Sequence, residues 1–270
     1  MPGGRMHRVK LRALLVGLVA LLLLSQGAAA DAPRGGLARP AKKEIAMQLV
    51  SSAENSTLAW RRQYSYLEDI DDGRGWTAGI IGFTSATGDM LRLVRGYTDA
   101  RPRNPLRRFL PALRRAVGTD SHRGLHRPFV RAWKKAARDP RFRRSQDRLR
   151  DRMYFDPAVR RAQRDGLGTL GQFVYYDAMV MHGPGRDAAS FGGIRRAALA
   201  EAEPPSAGGD QVAYLDAFLD ARVAVMEQEE AHADTSRVDT AQRVFLREGN
   251  LGLTPPLRWS VYGDRYVIRR

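Results

Sequence analysis

Apolar residues recur at helical spacing over most of the chain. In the stretch KKEIAMQLVSSAENS, Ile45, Leu49 and Ala53 are four positions apart, which predicts a helix that ends near Asn55 or Ser56. Residues 167–183 (LGTLGQFVYYDAMVMHG) are apolar nearly all round, so we expect a central buried helix. A further long helix is predicted over residues 210–232.

The middle of the chain alternates apolar and arginine-rich faces. The stretches GDMLRLVRGYTD, NPLRRFLPALRRAV, RPFVRAWKKAARD and PRFRRSQDRLRDRMYF each predict a helix. In DPAVRRAQRDG, Asp156 is the expected N-cap and Pro157 the first helical residue. The segment DTSRVDTAQRVFLREGN predicts another helix near the C-terminus.

Only one region predicts strands. Residues 76–88 (WTAGIIGFTSATG) are rich in β-branched and aromatic residues broken by glycine, which is typical of a short hairpin. DDGRG, just before it, predicts a turn, and we expect the tail PPLRWSVYGDRYVI to be irregular. The fold class predicted is mainly α with a small β element near residues 70–88.

The N-terminus has the three parts of a secretory signal. A basic start is followed by the apolar run of residues 13–24, too short to span a bilayer, and then by GAAA, which suits cleavage after Ala30. We expect a signal peptide over 1–30, a flexible leader over 31–41 and a folded domain over 42–270. The mature protein is therefore expected outside the cell, without a membrane anchor.

The formal net charge of +16 is placed unevenly. Residues 92–164 hold 23 Lys and Arg against 6 Asp and Glu, a local net charge of +17. Such helices could bind an anionic polymer, but no base-reading motif is present, so no nucleic acid partner is expected. The chain has no cysteine, and its five histidines lack ligand spacing, so we predict neither a metal site nor a cofactor.

Against this basic background, EDIDDGRGWT (68–77) gathers four carboxylates in five positions. Glu54 ends an apolar helix, where desolvation would raise its pKa, whereas Asp71 or Asp72 should stay ionised beside Arg74. Two carboxyl groups held in different protonation states are what glycoside cleavage uses: one protonates the leaving oxygen and the other activates water or attacks. Taken alone, both could equally be ordinary surface residues.

Several long segments resemble the chitosanases of glycoside hydrolase family 46. They include KKEIAMQLVSSAENSTLAW, YSYLEDIDDGRGWTAGIIGFTSATGDM, YFDPAVRRAQRDGLGTLGQFVYYDAMVMHGPG and HADTSRVDTAQRVFL, and the resemblance runs from about Lys42 to Ile268. It implies a secreted endo-acting enzyme that cleaves β-1,4 links between glucosamine units of chitosan with inversion. It also implies two mainly helical lobes around a substrate cleft, as in lysozyme.

The resemblance assigns roles to individual residues. Glu54 would be the general acid, Asp72 rather than Asp71 the general base, and Thr77 would hold the attacking water. The expected substrate contacts are Tyr66, Arg74, Asp89, His182 and Glu229, and the expected buried ionic network is Asp177, Arg222 and Arg237. Arg74 should keep Asp72 ionised through its charge.

One departure from the family pattern is Ala233, where we expect an aspartate, so one sugar subsite should be weaker. The arginine-rich faces are expected to point away from the cleft, because they would repel a cationic polysaccharide. Two alternatives stay open at this stage: a lysozyme-like peptidoglycan hydrolase, and a basic protein that binds anionic polymers. We expect a monomer.

Overall fold

The computed structural model describes residues 35–228 and 234–270. The predicted signal peptide, Glu229 and Ala233 therefore lie outside the described residues. Ten α-helices in the described part are α1 (Pro40–Asn55), α2 (Asp89–Ala100), α3 (Leu110–Ala116), α4 (Arg127–Ala136), α5 (Pro140–Arg150), α6 (Asp156–Arg164), α7 (Thr169–His182), α8 (Phe191–Glu201), α9 (Gln211–Met226) and α10 (Arg243–Arg247).

Two small antiparallel sheets accompany the helices. The first joins β1 (Leu67–Asp69), β2 (Trp76–Ala78) and β3 (Phe83–Thr84) in that order, with Glu68 opposite Thr77 and Thr77 opposite Thr84. The second is the hairpin of β4 (Leu257–Val261) and β5 (Asp264–Ile268). The mainly α fold with a small β element near residues 70–88 is thus confirmed, and the irregular tail is not.

Helix α7 lies at the centre, as its apolar sequence predicted. Ten of its residues, from Leu170 to Met179, are buried, and it packs against α1, α6 and α8. Its Gln172 side chain accepts a hydrogen bond from the Leu37 N–H at 2.8 Å. Leu37 is fully buried inside a 3₁₀ turn (Gly36–Ala38). These residues are therefore anchored to α7, where we expected part of a flexible leader.

Helices α5 and α6 form one continuous helical segment. They are joined by a π-helical turn, Asp151–Phe155, and Asp156 itself has helical dihedral angles, so the predicted N-cap at Asp156 is wrong. Pro157 is tolerated at this position because the π turn already interrupts the usual hydrogen-bond ladder. The actual start of the segment is Asp139, whose carboxylate accepts the Arg141 N–H at 2.9 Å.

Helix α5 also positions the first sheet. The fully buried Gln146 side chain accepts the Ile80 N–H at 3.2 Å and donates to the Tyr64 carbonyl at 3.0 Å. Gly79 lets this amide approach, since a Cβ there would meet Gln146 Oε1 at 2.4 Å. The strand that carries Thr77 is therefore fixed from behind by the arginine-rich part of the chain.

None of the helices described is long and apolar enough to cross a membrane.

Candidate active site

Glu54 lies in the last turn of α1, which a hydrogen bond to strand β4 holds in place. The buried Ser52 hydroxyl accepts a hydrogen bond from Trp259 Nε1 on β4 at 3.0 Å. The helix then ends at Ser56, which adopts a left-handed conformation with φ of 48°. Glu54 projects past this end with 29% of its side chain exposed. The structure therefore does not place Glu54 in the apolar, desolvated surroundings that the sequence suggested.

Arg237 is the partner that the sequence did not predict for Glu54. Its Nη1 donates to Glu54 Oε1 at 2.5 Å, while its Nε and Nη2 donate to Asp177 at distances of 2.8 to 3.1 Å. One guanidinium group thus makes three hydrogen bonds to Asp177 and one to Glu54. Among the described residues, Glu54 Oε2 has no hydrogen-bond partner, so this oxygen is left to meet a ligand.

The ionic network that the resemblance implied is present behind Glu54. Asp177 and Arg222 are 1% and 0% exposed, and Arg222 Nη1 donates to Asp177 Oδ2 at 2.8 Å. Burial alone would raise the pKa of Asp177, but the charges and hydrogen bonds of Arg237 and Arg222 outweigh it and hold that pKa far below its ordinary value. The network therefore favours the carboxylate form of Asp177.

Gln242 completes this network, and the sequence analysis missed it. It lies in a π-helical turn (Val238–Gln242), donates to Asp177 Oδ2 at 2.6 Å and accepts from Arg222 Nη1 at 3.2 Å. A buried carboxylate needs all its acceptor sites filled, because each unpaired one costs free energy. Its spacing of five positions from Arg237 gives no helical signal, which explains why the pattern did not reveal it.

Asp72 lies on the turn between β1 and β2. Three residues of this turn, Asp71, Gly73 and Gly75, have positive φ values of 56°, 74° and 64°. A side chain at Gly75 would also meet Ser85 Oγ at 2.6 Å. The glycines of DDGRG are therefore required by the backbone, and aspartate is among the few other residues that tolerate the left-handed region.

Arg74 holds Asp72 at three points. Its backbone N–H donates to Oδ1 at 3.0 Å, and its side-chain Nε and Nη2 approach Oδ2 at 2.7 and 2.5 Å. Partial burial would raise the pKa of Asp72, but the hydrogen bonds from Arg74 outweigh it and lower that pKa. By contrast, the Asp71 N–H donates to Asp69 Oδ1 at 3.0 Å, and no residue in the described ranges clamps the Asp71 carboxylate.

Thr77 presents a buried hydroxyl next to this turn. It is 7% exposed, in the middle strand, and its Oγ1 has no hydrogen-bond partner among the described residues. Such a group costs stability unless something else satisfies it. A buried hydroxyl without a protein partner can bind a water molecule or a ligand. The resemblance implied such a role for Thr77, that of holding the attacking water.

The other predicted contact residues have different surroundings. The pKa of Tyr66 is raised, mainly by burial. The interaction of Tyr66 with Glu68 and the negative charge of Asp72 raise it further. Burial also raises the pKa of Asp89, at the start of α2, against the lowering effect of Thr87 and Arg92. His182 accepts a hydrogen bond from Arg222 Nε at 3.3 Å, so it adjoins the buried network.

Tyr154 is a residue that the sequence analysis did not single out. It is half-buried, and the charges of Asp89, Arg92, Arg74 and Glu54 all act on its phenol. Burial, with the charge of Asp89, raises its pKa to about 12. Tyr154 is therefore close enough to Glu54, Arg74 and Asp89 for the charges of all three to act on it. In the sequence, Tyr154 belongs to the aromatic pair before DPAV, in a stretch that we interpreted only as a helix.

Glycoside cleavage uses two carboxyl groups with different roles, and the described residues include one carboxylate held ionised and a second carboxyl group with one unpartnered oxygen. A comparison of the sequence with known protein families identifies the family to which the chain belongs. The profile of glycosyl hydrolase family 46 matches residues 48–257, so this chain belongs to that family. It is a glycoside hydrolase, and its fold is the lysozyme-like helical fold expected from the sequence.

Individual relatives are similar in sequence or structure to this chain over most of their length. The chitosanase of Streptomyces sp. (strain N174) is 60% identical over 244 residues, which cover 90% of this chain and 88% of that protein. A structure of chitosanase OU01 with substrate is 58% identical, with a TM-score of 0.84 over 87% of this chain and 99% of the other. The family 46 chitosanase of Gynuella sunshinyii with chitotetraose is 36% identical, with a TM-score of 0.78, covering 84% and 97%.

Proposed function

We propose that this chain cleaves β-1,4 links between glucosamine units within chitosan, with inversion at the anomeric carbon. The observation that carries the proposal is the contrast between its two carboxyl groups. Asp72 is clamped by Arg74 and kept ionised, whereas Glu54 is held through one oxygen and its other oxygen has no partner among the described residues. The substrate named for its relatives, chitosan, and the ligand chitotetraose support the choice of sugar.

In this mechanism Glu54 is the general acid. Arg237 orients the carboxyl group through Oε1, and Oε2 carries the proton to the leaving glycosidic oxygen. Three of the four hydrogen bonds of Arg237 go to Asp177, and they fix the guanidinium group that orients Glu54. General acid catalysis requires that this proton passes to the leaving oxygen as the glycosidic bond breaks.

Asp72 is the general base. As a carboxylate, it removes a proton from a water molecule that attacks the anomeric carbon from the opposite face, and Thr77 Oγ1 orients that water. In inverting enzymes the two carboxyl groups stand roughly 6.5–9.5 Å apart to admit the water. Arg74 has a double role, since it fixes the Asp72 rotamer and stabilises the ionised form.

Acidic side chains explain why a polyamine would bind to a protein of net charge +16. Glu68, Asp69, Asp71 and Asp89 surround the base with negative charge, and attraction strengthens when water is excluded. Tyr66 and His182 contribute to the walls of the site, and Glu229 adds a further carboxylate for a sugar amine. The chain acts as a two-lobed catalytic domain, secreted as a monomer after the signal peptide is removed, and this domain includes the anchored turn Gly36–Ala38 as well as residues 42–270.

The test uses highly deacetylated chitosan with the mature protein. Release of reducing ends, a rapid fall in viscosity and formation of the α-anomer by NMR are expected for an endo-acting, inverting enzyme. Glu54→Gln and Asp72→Asn should each lower kcat by about 10² to 10⁴-fold. The matched control is Asp71→Asn, which removes the same charge from the same turn. Asparagine also tolerates the left-handed backbone at this position, so the variant should retain activity.

Three results would contradict this proposal. Retention of the β-anomer would exclude the inverting mechanism, and a loss in Asp71→Asn equal to that in Asp72→Asn would remove the assignment of the base. If the protein left chitosan intact but cleared peptidoglycan, the family fold would stand and the substrate would be wrong.

A further inference from the structure

A basic groove lies on the part of the chain that the active site does not use. A cavity of about 700 Å³ adjoins one of about 450 Å³, and both are lined by Pro105 and Lys135. We call the pair the proline–arginine groove. None of the described active-site residues lines it. Its basic side chains are Arg101, Arg103, Arg107, Arg108, Arg131, Lys135 and Arg138.

The positive charge of this groove is almost entirely unpaired. Its only acidic lining residue is Asp139, which is already bound by Arg101 at 2.5 Å and by the Tyr97 hydroxyl at 2.7 Å. In the part of the chain that the structure describes, the other six cationic side chains have no carboxylate within salt-bridge distance. Repulsion among six neighbouring cations is unfavourable, so a bound polyanion would stabilise this surface.

The backbone beneath these side chains is well held. Asn104 Oδ1 accepts the N–H groups of Leu106 and Arg107 at 2.8 and 3.0 Å and thereby fixes the 3₁₀ turn Arg107–Phe109. On the facing helix α4, Arg131 and Lys135 are one turn apart and project from the same side. Two separate elements therefore present fixed rows of cations across one groove.

The shape and chemistry of the groove indicate a linear polymer that carries phosphate groups. Arginine predominates, and its planar fork matches the oxygens of phosphate better than lysine does. Two cavities that share the lining residues Pro105 and Lys135 suit an extended chain rather than a single small anion. Proteins that bind single-stranded nucleic acid also stack bases on exposed rings, but the one aromatic lining residue here, Tyr97, is fully buried.

We propose that the proline–arginine groove is a docking site for a linear, phosphate-bearing polyanion without bases. The polymer runs between the row of the 3₁₀ turn and the row of α4, and the guanidinium groups bind its phosphates. This site is separate from the substrate site, since a cationic polysaccharide would be repelled from it. The groove therefore gives the arginine excess of residues 92–164 a binding role, whatever the sugar substrate is.

The test measures binding of a short linear inorganic polyphosphate, labelled at one end, by fluorescence anisotropy at several salt concentrations. The variant Arg107→Gln/Arg131→Gln/Lys135→Gln removes three exposed cations from the groove. The matched control, Arg160→Gln/Arg164→Gln/Arg186→Gln, removes the same charge from a second arginine-lined cavity of about 610 Å³. Thermal unfolding of both variants verifies that they fold.

The groove variant should bind polyphosphate at least about 10-fold more weakly, and the slope of log K against log salt should fall by about 2. The control variant should bind nearly as the parent does. Equal losses in the two variants would mean that only the general positive field attracts the polymer, which overturns the proposal. So would an absence of binding by the parent, or tighter binding of single-stranded DNA with the same number of phosphates.

Discussion

Arg237 donates one hydrogen bond to Glu54 and three to Asp177, so a single guanidinium group joins the exposed end of α1 to a buried carboxylate in α7. The two acceptors differ sharply in exposure, at 29% for Glu54 and 1% for Asp177. Arg237 therefore fixes the position of Glu54 relative to the buried helix α7. The orientation of Glu54, the proposed general acid, therefore depends on contacts that Arg237 makes with the buried core.

Replacing Arg237 with lysine tests this relationship, because lysine keeps the charge but lacks the planar fork. A lysine cannot hold Asp177 and Glu54 together, so we expect kcat to fall by at least about 10-fold. Loss of a partner in a buried ion pair should also lower the free energy of unfolding by up to about 3–5 kcal/mol. Activity assays and urea denaturation would measure the two effects.

The control for this substitution is Arg243→Lys. Arg243 also binds several carboxylates, including Asp239 at 3.1 Å and Asp216 at 2.5 Å, but those partners are solvent-exposed. Exposed ion pairs contribute about 0–1 kcal/mol, so this variant should unfold near the parent's midpoint and stay active. If Arg243→Lys were as damaging as Arg237→Lys, the special position of Arg237 would not explain the loss.

Thr77→Val should lower the activity of the protein without lowering its stability. Valine has nearly the shape of threonine, and the hydroxyl it removes has no protein partner among the described residues. The melting temperature should therefore stay equal or rise, while kcat falls by about 10- to 100-fold because the attacking water is no longer oriented. Thr77→Ser, which keeps the hydroxyl, should restore most of the activity. A fully active Thr77→Val would show that this hydroxyl has no part in the reaction.

Arg74→Gln should change how activity depends on pH. Arg74 lowers the pKa of Asp72, and the base works only as a carboxylate. Removing the guanidinium group raises that pKa, so the acidic limb of the log kcat/KM profile should move to higher pH. Arg95→Gln, an exposed change of the same charge on α2, serves as the control. An unshifted limb in Arg74→Gln would mean that another group sets it.

Asp139→Asn should reduce the loss of stability in acid. The pKa of Asp139 falls from 3.8 to about 2: burial would raise it, and hydrogen bonds from Tyr97, Arg101 and the Arg141 N–H outweigh that effect. Because the folded-state pKa is depressed, the stabilisation is present above pH 4 and is lost as pH falls toward 2.

Asparagine keeps the N-cap of α5 but does not titrate. The variant should therefore be less stable than the parent at neutral pH, and the difference in melting temperature should shrink between pH 4 and pH 2. A difference that stayed constant over this range would mean that Asp139 does not contribute through its ionisation.

Local features of the chain were predictable from sequence because they depend on neighbouring residues. The end of α1 at Asn55 and the burial of α7 followed from apolar spacing, and the β element followed from glycines and β-branched residues. The turn of DDGRG was likewise evident, since its glycines supply the backbone angles. The hairpin of β4 and β5 was missed, because its alternation is short and its pairing depends on packing against α1 through Trp259 and Ser52.

The site needed the tertiary structure, because its contacts join distant parts of the chain. Glu54 and Arg237 are 183 positions apart, and Asp177 is 60 from Arg237. Resemblance to a family predicted the three network residues, yet it did not reveal that Arg237 also binds Glu54 or that Gln242 fills the last acceptor site. Residue type and spacing determine which groups can ionise; only folding determines which charges meet in a medium of low dielectric constant, and that sets their strength.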